Sequence, residues 1–195
     1  MCGIQGGGKI MSKTDSLHYE LCVEGAKWLR RHKWNFERCR QKPCYNHTRG
    51  CGYCCSRFKY AAVEICTWNT EQTDVWALGN FDESTVIEVK VSHSDFLADK
   101  KKWARSEEAF RLGLQAGTYR WFLCPEGVIK PEELPEMWGL LYWDGKKIRP
   151  VVPPEKFENT AKADIAILTS ILSRENFPQK VYNYRGARTA QTNQP

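Results

Sequence analysis

Asp74-Val75-Trp76-Ala77-Leu78, a turn-like stretch from Gly79 to Thr85, and then Val86-Ile87-Glu88-Val89-Lys90-Val91-Ser92 together decide how this chain is read. Both apolar runs have strand length and β-branched or aromatic content, and the polar stretch between them predicts a hairpin. Residues two apart in a strand share a face, so Ile87, Val89 and Val91 form a surface to be buried while Glu88 and Lys90 stand together on the other. With Asp74 opening the neighbouring strand, two carboxylates and an ammonium converge, a donor set that suits a hard divalent cation and an attacking water. Charges alternating with valine are also how the wet face of an ordinary antiparallel sheet reads, and Glu-x-Lys alone does not separate the two.

The residues that follow tilt the balance. His93-Ser94-Asp95-Phe96-Leu97-Ala98-Asp99-Lys100-Lys101-Lys102-Trp103 has Ser92 or Ser94 as N-cap, acids in the first turns and bases at the end, which predicts a helix. Asp95, Asp99 and Lys102 fall on one face of it.

The string "DVWALG…IEVKVSHSDFLADKKKW" resembles the active-site core of the PD-(D/E)XK superfamily, the restriction-endonuclease-like nucleases, and in particular its small bacterial and phage members. The similarity runs on through "YRWFLCPEGVIKPEELPEMWGLLYWDGKKI", so it covers roughly Val63 to Val152. The resemblance implies an α/β fold with a restriction-endonuclease-like mixed central sheet flanked by helices. It also implies Asp74 and Glu88 as ligands for Mg2+ or Mn2+ and Lys90 as the catalytic lysine. Thr73 stands where the family motif has proline, which offers no ligand and is dispensable to the chemistry. The superfamily has many substrates, so the resemblance implies nuclease chemistry more than a particular target.

The roles follow from charge. Magnesium takes oxygen ligands and keeps several waters, so two carboxylates plus a phosphate oxygen make a plausible inner shell. Lys90 beside two acids is expected to stay protonated, orienting water or stabilising the phosphate, whereas general-base action would need a pKa depressed by burial.

For a fourth acid the sequence offers several candidates. Glu64 interrupts the apolar run Tyr60-Ala61-Ala62-Val63-Glu64-Ile65-Cys66, the expected first strand, where it is either a ligand or an exposed edge-strand residue. Glu20 and Glu24 lie on an expected helix from Asp15 to about Lys33, whose apolar stripe is Leu17, Leu21, Cys22, Gly25, Trp28 and Leu29. Glu24 borders the stripe and Glu20 lies further round; either serves as a helix-borne catalytic acid or is simply solvated. His18, His32 and His93 read as incidental polar or capping residues, since no second His or acid stands at metal spacing on the same element.

A second constellation is Cys39-x4-Cys44-x6-Cys51-x2-Cys54-Cys55, with His47 inside it and Gly50 and Gly52 allowing tight turns. It reads as a small zinc-knuckle-like insertion spanning 39–55, with Cys39, Cys44, Cys51 and Cys54 holding a structural Zn2+ and Cys55 or His47 as substitutes. The alternatives are an iron-sulfur cluster, a disulfide framework or plain thiols.

A chain of 195 residues with formal charge +6 supports one core of ordinary size and suggests an anionic partner. Lys27, Arg30, Arg31, His32, Lys33, Arg38, Arg40, Lys42, Arg49, Arg57 and Lys59 cluster around the first helix and the cysteine segment, interleaved with Trp34, Phe36, Tyr45, Tyr53 and Phe58. Bases among aromatics hold phosphates and stack nucleobases, so nucleic acid, DNA before RNA, is the expected partner, with a solvated charged face as the plainer explanation. No transmembrane span or signal h-region is visible, which predicts no membrane partner and a cytoplasmic protein of a bacterium or a phage-infected host.

Residues 1–14 read as a flexible extension. Gly6-Gly7-Gly8-Lys9-Ile10 before Met11 back-translates to a purine-rich stretch like a bacterial ribosome-binding site, which predicts Met11 as the natural start; a native gene product whose intact mass begins at Met1 overturns this. The nuclease-like domain is expected over 15–178. Its later parts are a strand over Thr118 to Cys124, a proline-punctuated loop to Pro135, and a hairpin around Asp144-Gly145. A last helix follows from about Glu158 to Arg174, with Ile165, Leu168, Ile171 and Leu172 as its buried stripe. Residues 179–195 are expected to be a disordered tail. The function expected is a metal-dependent deoxyribonuclease; the rival is a catalytically silent nucleic-acid-binding or protein-interaction module on the same fold.

Overall fold

A computed structural model describes residues 13–31, 58–67, 70–79, 83–99, 101–102, 105–158 and 160–175. Cys39, Cys44, Cys51, Cys54, Cys55, His47 and His32 lie outside these residues, as do the tail and the start of the amino-terminal extension.

The expected amphipathic helix forms as α1, Lys13–Arg31, beginning inside the segment expected to be a flexible extension. Leu21, Cys22 and Leu29 are its fully buried stripe, with Leu17 and Trp28 packed at the margin. Gly25 sits where this helix crosses the sheet: a Cβ there would stand 3.3 Å from Leu123 and 3.4 Å from Ile87, so a larger residue would push the helix outward.

Six strands form one mixed sheet in sequence order: β1 (Tyr60–Ile65), β2 (Thr73–Leu78), β3 (Ser84–Val89), β4 (Tyr119–Pro125), β5 (Gly139–Trp143) and β6 (Ile148–Val152). β1, β2 and β3 are an antiparallel meander, β3, β4 and β5 run parallel, and β6 returns antiparallel. The connection from β3 to β4 carries two short helices, α2 (His93–Asp99) and α3 (Glu107–Arg111). Ser92 caps α2: its Oγ accepts from the Asp95 N–H at 3.2 Å, which settles the choice between Ser92 and Ser94. Asp144-Gly145 turns the β5–β6 hairpin, with Gly145 at φ +92 and the Asp144 carboxylate accepting from the Lys146 and Lys147 N–H groups.

Alternation along the strands divides the core. On one face Val75, Ile87, Val89, Trp121 and Leu123 pack against α1. On the other, Trp76 and Val86 meet the last helix α4 (Ala161–Arg174), while Phe122, Cys124 and Leu140 meet Phe96 of α2. One expectation about α4 is corrected. Ile165 is 63% exposed and Leu172 37%, and the buried residues are Ala163, Asp164 and Ile167, flanked by Leu168 and Ile171. The helix is rotated because Asp164 is drawn inward by hydrogen bonds that a hydrophobic count does not register. Among the described residues, no helix is long and apolar enough to cross a membrane.

Candidate active site

β3 is buried along its whole length, so its charged residues do not line a wet face. Glu88 is 1% exposed and Lys90 2%, which removes the ordinary-sheet explanation of Glu-x-Lys.

The sheet forks where these residues stand. β1 and β2 stay paired as far as Ile65 opposite Thr73, and β3 and β4 as far as Val89 opposite Leu123, but β2 and β3 pair only as far as Val75 opposite Ile87. Past that point the Val89 N–H, which a continuing ladder would satisfy, donates to Asp74 Oδ2 at 2.8 Å. Asp74 thus fills the opening with a carboxylate, next to the strand position from which Glu88 projects.

Around Glu88 the charges are dense. Lys90 Nζ lies 3.6 Å from Glu88 Oε2 and 3.2 Å from Asp99 Oδ1. Arg105, in the segment between α2 and α3, lies with one nitrogen 3.0 Å from Glu88 Oε2, donates from Nε to Asp99 Oδ2 at 2.9 Å, and also bonds Glu71. Glu71 in turn takes a bidentate bond from the fully buried Arg120, at 2.6 and 2.7 Å, and the Ala116 N–H at 2.8 Å. Glu88 Oε1 is different: it is buried and has no hydrogen-bond partner. Burial pushes the Glu88 pKa up to about 7, with Arg105 and Lys90 opposing the rise and Asp74 adding to it.

Burial works against charge on Lys90 too, but the surrounding Glu88, Asp99 and Asp74 overcome it and raise its pKa. These carboxylates favour the ammonium form of Lys90, the direction opposite to the one a general base needs. Burial also disfavours ionised Asp74, yet bonds from His18, the charge of Lys90 and the Val89 N–H hold its pKa below the usual value. At Asp99, burial is outweighed by Arg105, Lys102 and Lys90, and the pKa falls well below the carboxylate range.

His18, set aside from sequence as incidental, is part of this site. Its Nε2 lies 3.4 Å from Asp74 Oδ2, and the bond raises the imidazole pKa against the effect of burial. The spacing criterion failed because the acid that partners His18 is on another strand rather than on its own helix. His18 Nδ1 also lies 3.6 Å from Cys22 Sγ, giving the connectivity of a thiol, a histidine and an acid. Cys22 is fully buried, and burial raises its thiol pKa far above neutrality, so it is not a nucleophile.

The candidate fourth acids divide as follows. Glu64, on β1, stands between the residues paired with Val75 and Thr73 and so beside Asp74 of β2, with its carboxylate 4.0 Å from His18 Nδ1, but its side chain is 49% exposed. Its φ of +51 is left-handed, so it steps out of the strand alternation and leaves the run of paired residues. Glu20 is exposed, and Glu24 is bonded to Lys27 at 2.6 Å near the end of the β5–β6 hairpin. The helix-borne group at the acids is His18, and the further buried acids are Asp99 and Glu71. Asp99 was legible as a helix-face acid; Glu71, Arg105 and Arg120 carried no local signal. His93 pairs at the surface with Glu133 at 2.8 Å, outside this cluster.

A divalent ion fits the donor set in part. Asp74 and the orphaned Glu88 oxygen are hard ligands, and magnesium is commonly held by one or two carboxylates plus substrate phosphate. No cluster of three or more His, Cys, Asp or Glu side chains placed to hold a metal occurs among the described residues, so the protein alone offers an incomplete shell.

No family model matches the chain, and no curated protein matches it. Among solved structures, it is similar to SPO1766, a protein of unknown function from Silicibacter pomeroyi, with 21% identity, 64% of this chain and 84% of that chain covered, and a TM-score of 0.44.

Proposed function

We propose that this chain is a metal-dependent nuclease with a restriction-endonuclease-like sheet of the PD-(D/E)XK type, hydrolysing phosphodiester bonds in DNA. The observation that carries the reading is Glu88: a carboxylate buried in the sheet, with one oxygen lacking a hydrogen-bond partner, beside Lys90 and across the fork from Asp74. A purely structural acid at such depth has its lone pairs satisfied. DNA as the substrate, and a structural zinc on Cys39, Cys44, Cys51 and Cys54, follow from the sequence pattern alone.

Asp74 and Glu88 would hold Mg2+ or Mn2+, which when bound supplies an activated water and offsets charge on the phosphate. The protein's own contribution is electrostatic. Lys90 would donate to a non-bridging phosphate oxygen. His18 and the Val89 N–H fix the Asp74 carboxylate, leaving its orientation independent of substrate.

A catalytically silent binding module remains a second reading because of Arg105, which already supplies Glu88 with a cation. Cleavage of a panel of labelled single-stranded, duplex and branched DNA and RNA with Mg2+, Mn2+ or chelator decides between them. Glu88→Gln, Asp74→Asn and Lys90→Ala should each lose activity by about 10³-fold or more while the fold is kept. Wild-type protein that cuts nothing with either metal would leave the silent module standing.

A further inference from the structure

A cleft lies at the other end of α1 from His18. Its volume is about 170 Å³, below the ~300–1,000 Å³ of a pocket for a drug-sized ligand. It is walled by Trp28 and Trp143 and rimmed by Arg31, Lys146 and Lys147. These residues come from two elements far apart in sequence: the last turns of α1, and the β5–β6 hairpin, where Trp143 pairs with Ile148.

Charge and shape select the occupant. Glu24 is the cleft's one acid, and its carboxylate is taken by Lys27 at 2.6 Å, so it does not cancel the rim. Asp144, beneath the hairpin tip, is committed to the Lys146 and Lys147 N–H groups at 2.9 Å each, which fixes the turn carrying both lysines. Part of the Arg31 charge offsets the negative end of the α1 dipole, leaving the two hairpin lysines as the principal anion-binding charges. Trp28 is held edge-on by Trp121, with ring centroids 5.9 Å apart, and Trp143 is half-buried, so the walls are firm aromatic surfaces. Cations around partly exposed tryptophans bind a phosphodiester with a stacked base.

We propose that this cleft is a docking subsite for the nucleic-acid strand, taking a phosphate on Lys146 and Lys147 and a base against Trp143. The inference rests on the nuclease reading. Ten residues of helix separate His18, which bonds Asp74, from Trp28 of the cleft, a rise of about 15 Å along α1.

The test measures binding of a labelled single-stranded oligonucleotide in chelator over a salt series, using full-length wild type, a Lys146→Glu/Lys147→Glu double variant, Trp143→Leu and, as a control on the α4 face, Lys162→Glu. The double variant should bind at least about tenfold more weakly, with the slope of log affinity against log salt shallower by about 0.7, the share of one phosphate contact on a single strand. Trp143→Leu should weaken binding several-fold and leave that slope unchanged, because it removes stacking rather than charge. Lys162→Glu should fall short of both effects. Equal affinity and slope for wild type and the double variant would overturn the subsite, as would wild type that binds anionic phosphatidylserine vesicles but no oligonucleotide. Lysine-dependent binding without cleavage in Mg2+ or Mn2+ would uphold the subsite and sink the nuclease reading instead.

Discussion

Asp164 and Glu88 are both carboxylates buried on the same side of the sheet, and the protein treats them in opposite ways. Asp164 accepts from Trp76 Nε1 at 2.8 Å, Ser84 Oγ at 2.6 Å and the Gly117 N–H at 3.0 Å. Each donor is neutral and belongs to a different stretch of chain, so the acid pins α4 to β2, β3 and the turn before β4. Gly117 at φ +86 lets its amide reach Asp164, and a Cβ there would stand 2.8 Å from Val86. Glu88 has charged neighbours on one oxygen and nothing on the other, and it pays for burial with a pKa raised to about 7. Asp164 is saturated by neutral donors, whereas Glu88 has ion pairs on Oε2 and no hydrogen-bond partner on Oε1. Glu71 belongs with Asp164 in this respect, since two arginines and a backbone amide saturate it.

The contrast breaks most visibly in stability. Glu71→Ala leaves Arg120 buried without its carboxylate and should cost about 3–5 kcal/mol. Glu88→Gln should cost little or even stabilise at pH 8, because it removes a charge that burial disfavours. Chemical denaturation of both variants checks this, and an equal loss for the two would place Glu88 among the structural acids.

Next in size is a pH effect of opposite sign for two neighbours. The folded-state pKa of Glu88 lies above its unfolded value of 4.5, so the folded protein holds a proton that the unfolded chain releases as pH rises from 4.5 to about 7. Stability should therefore fall across that window, by roughly 3 kcal/mol at most, and Glu88→Gln should abolish the slope. Asp99 has a depressed folded pKa, so its contribution is present above the unfolded value of 3.8 and is lost as pH falls below it. Denaturation midpoints from pH 3 to 8 for wild type and Glu88→Gln separate the two. A wild-type curve that rises steadily through pH 7 would show that Glu88 is ionised at no cost.

The smallest effect sharpens the role of Arg105. Its guanidinium competes with a metal for Glu88 Oε2 at 3.0 Å, so Arg105→Gln should raise Mn2+ affinity in the absence of nucleic acid by about tenfold, or ~1.4 kcal/mol. Titration followed by the EPR signal of free Mn2+ reads this directly. Unchanged affinity would mean that Arg105 does not stand in the metal's place.

Much of the frame was legible in the chain, because the signals are local. Valine and isoleucine alternating around Glu88 and Lys90 placed β3, Ser92 before an acidic turn placed α2, Asp144-Gly145 placed the last hairpin, and the period of Leu21, Cys22, Gly25 and Leu29 placed α1. Each depends on backbone preferences or burial within a few residues. The α4 stripe was misjudged at Ile165 and Leu172 because hydrophobicity outranked a polar residue, and Asp164 was worth burying only when Trp76, Ser84 and Gly117 met it there.

The sequence by itself placed Glu88 and Lys90 on one face of their strand and Asp74 at the start of the strand before it, because strand side chains alternate with period two. Only the tertiary structure decided that β2 and β3 would part beyond Val75 and Ile87, that His18 would reach Asp74, and that Arg105 would link Glu88 to Glu71 and through it to Arg120. The physical reason is range. Strand alternation and caps act over a few bonds, whereas the state of a buried charge depends on every ion within several ångströms, whatever its distance along the chain.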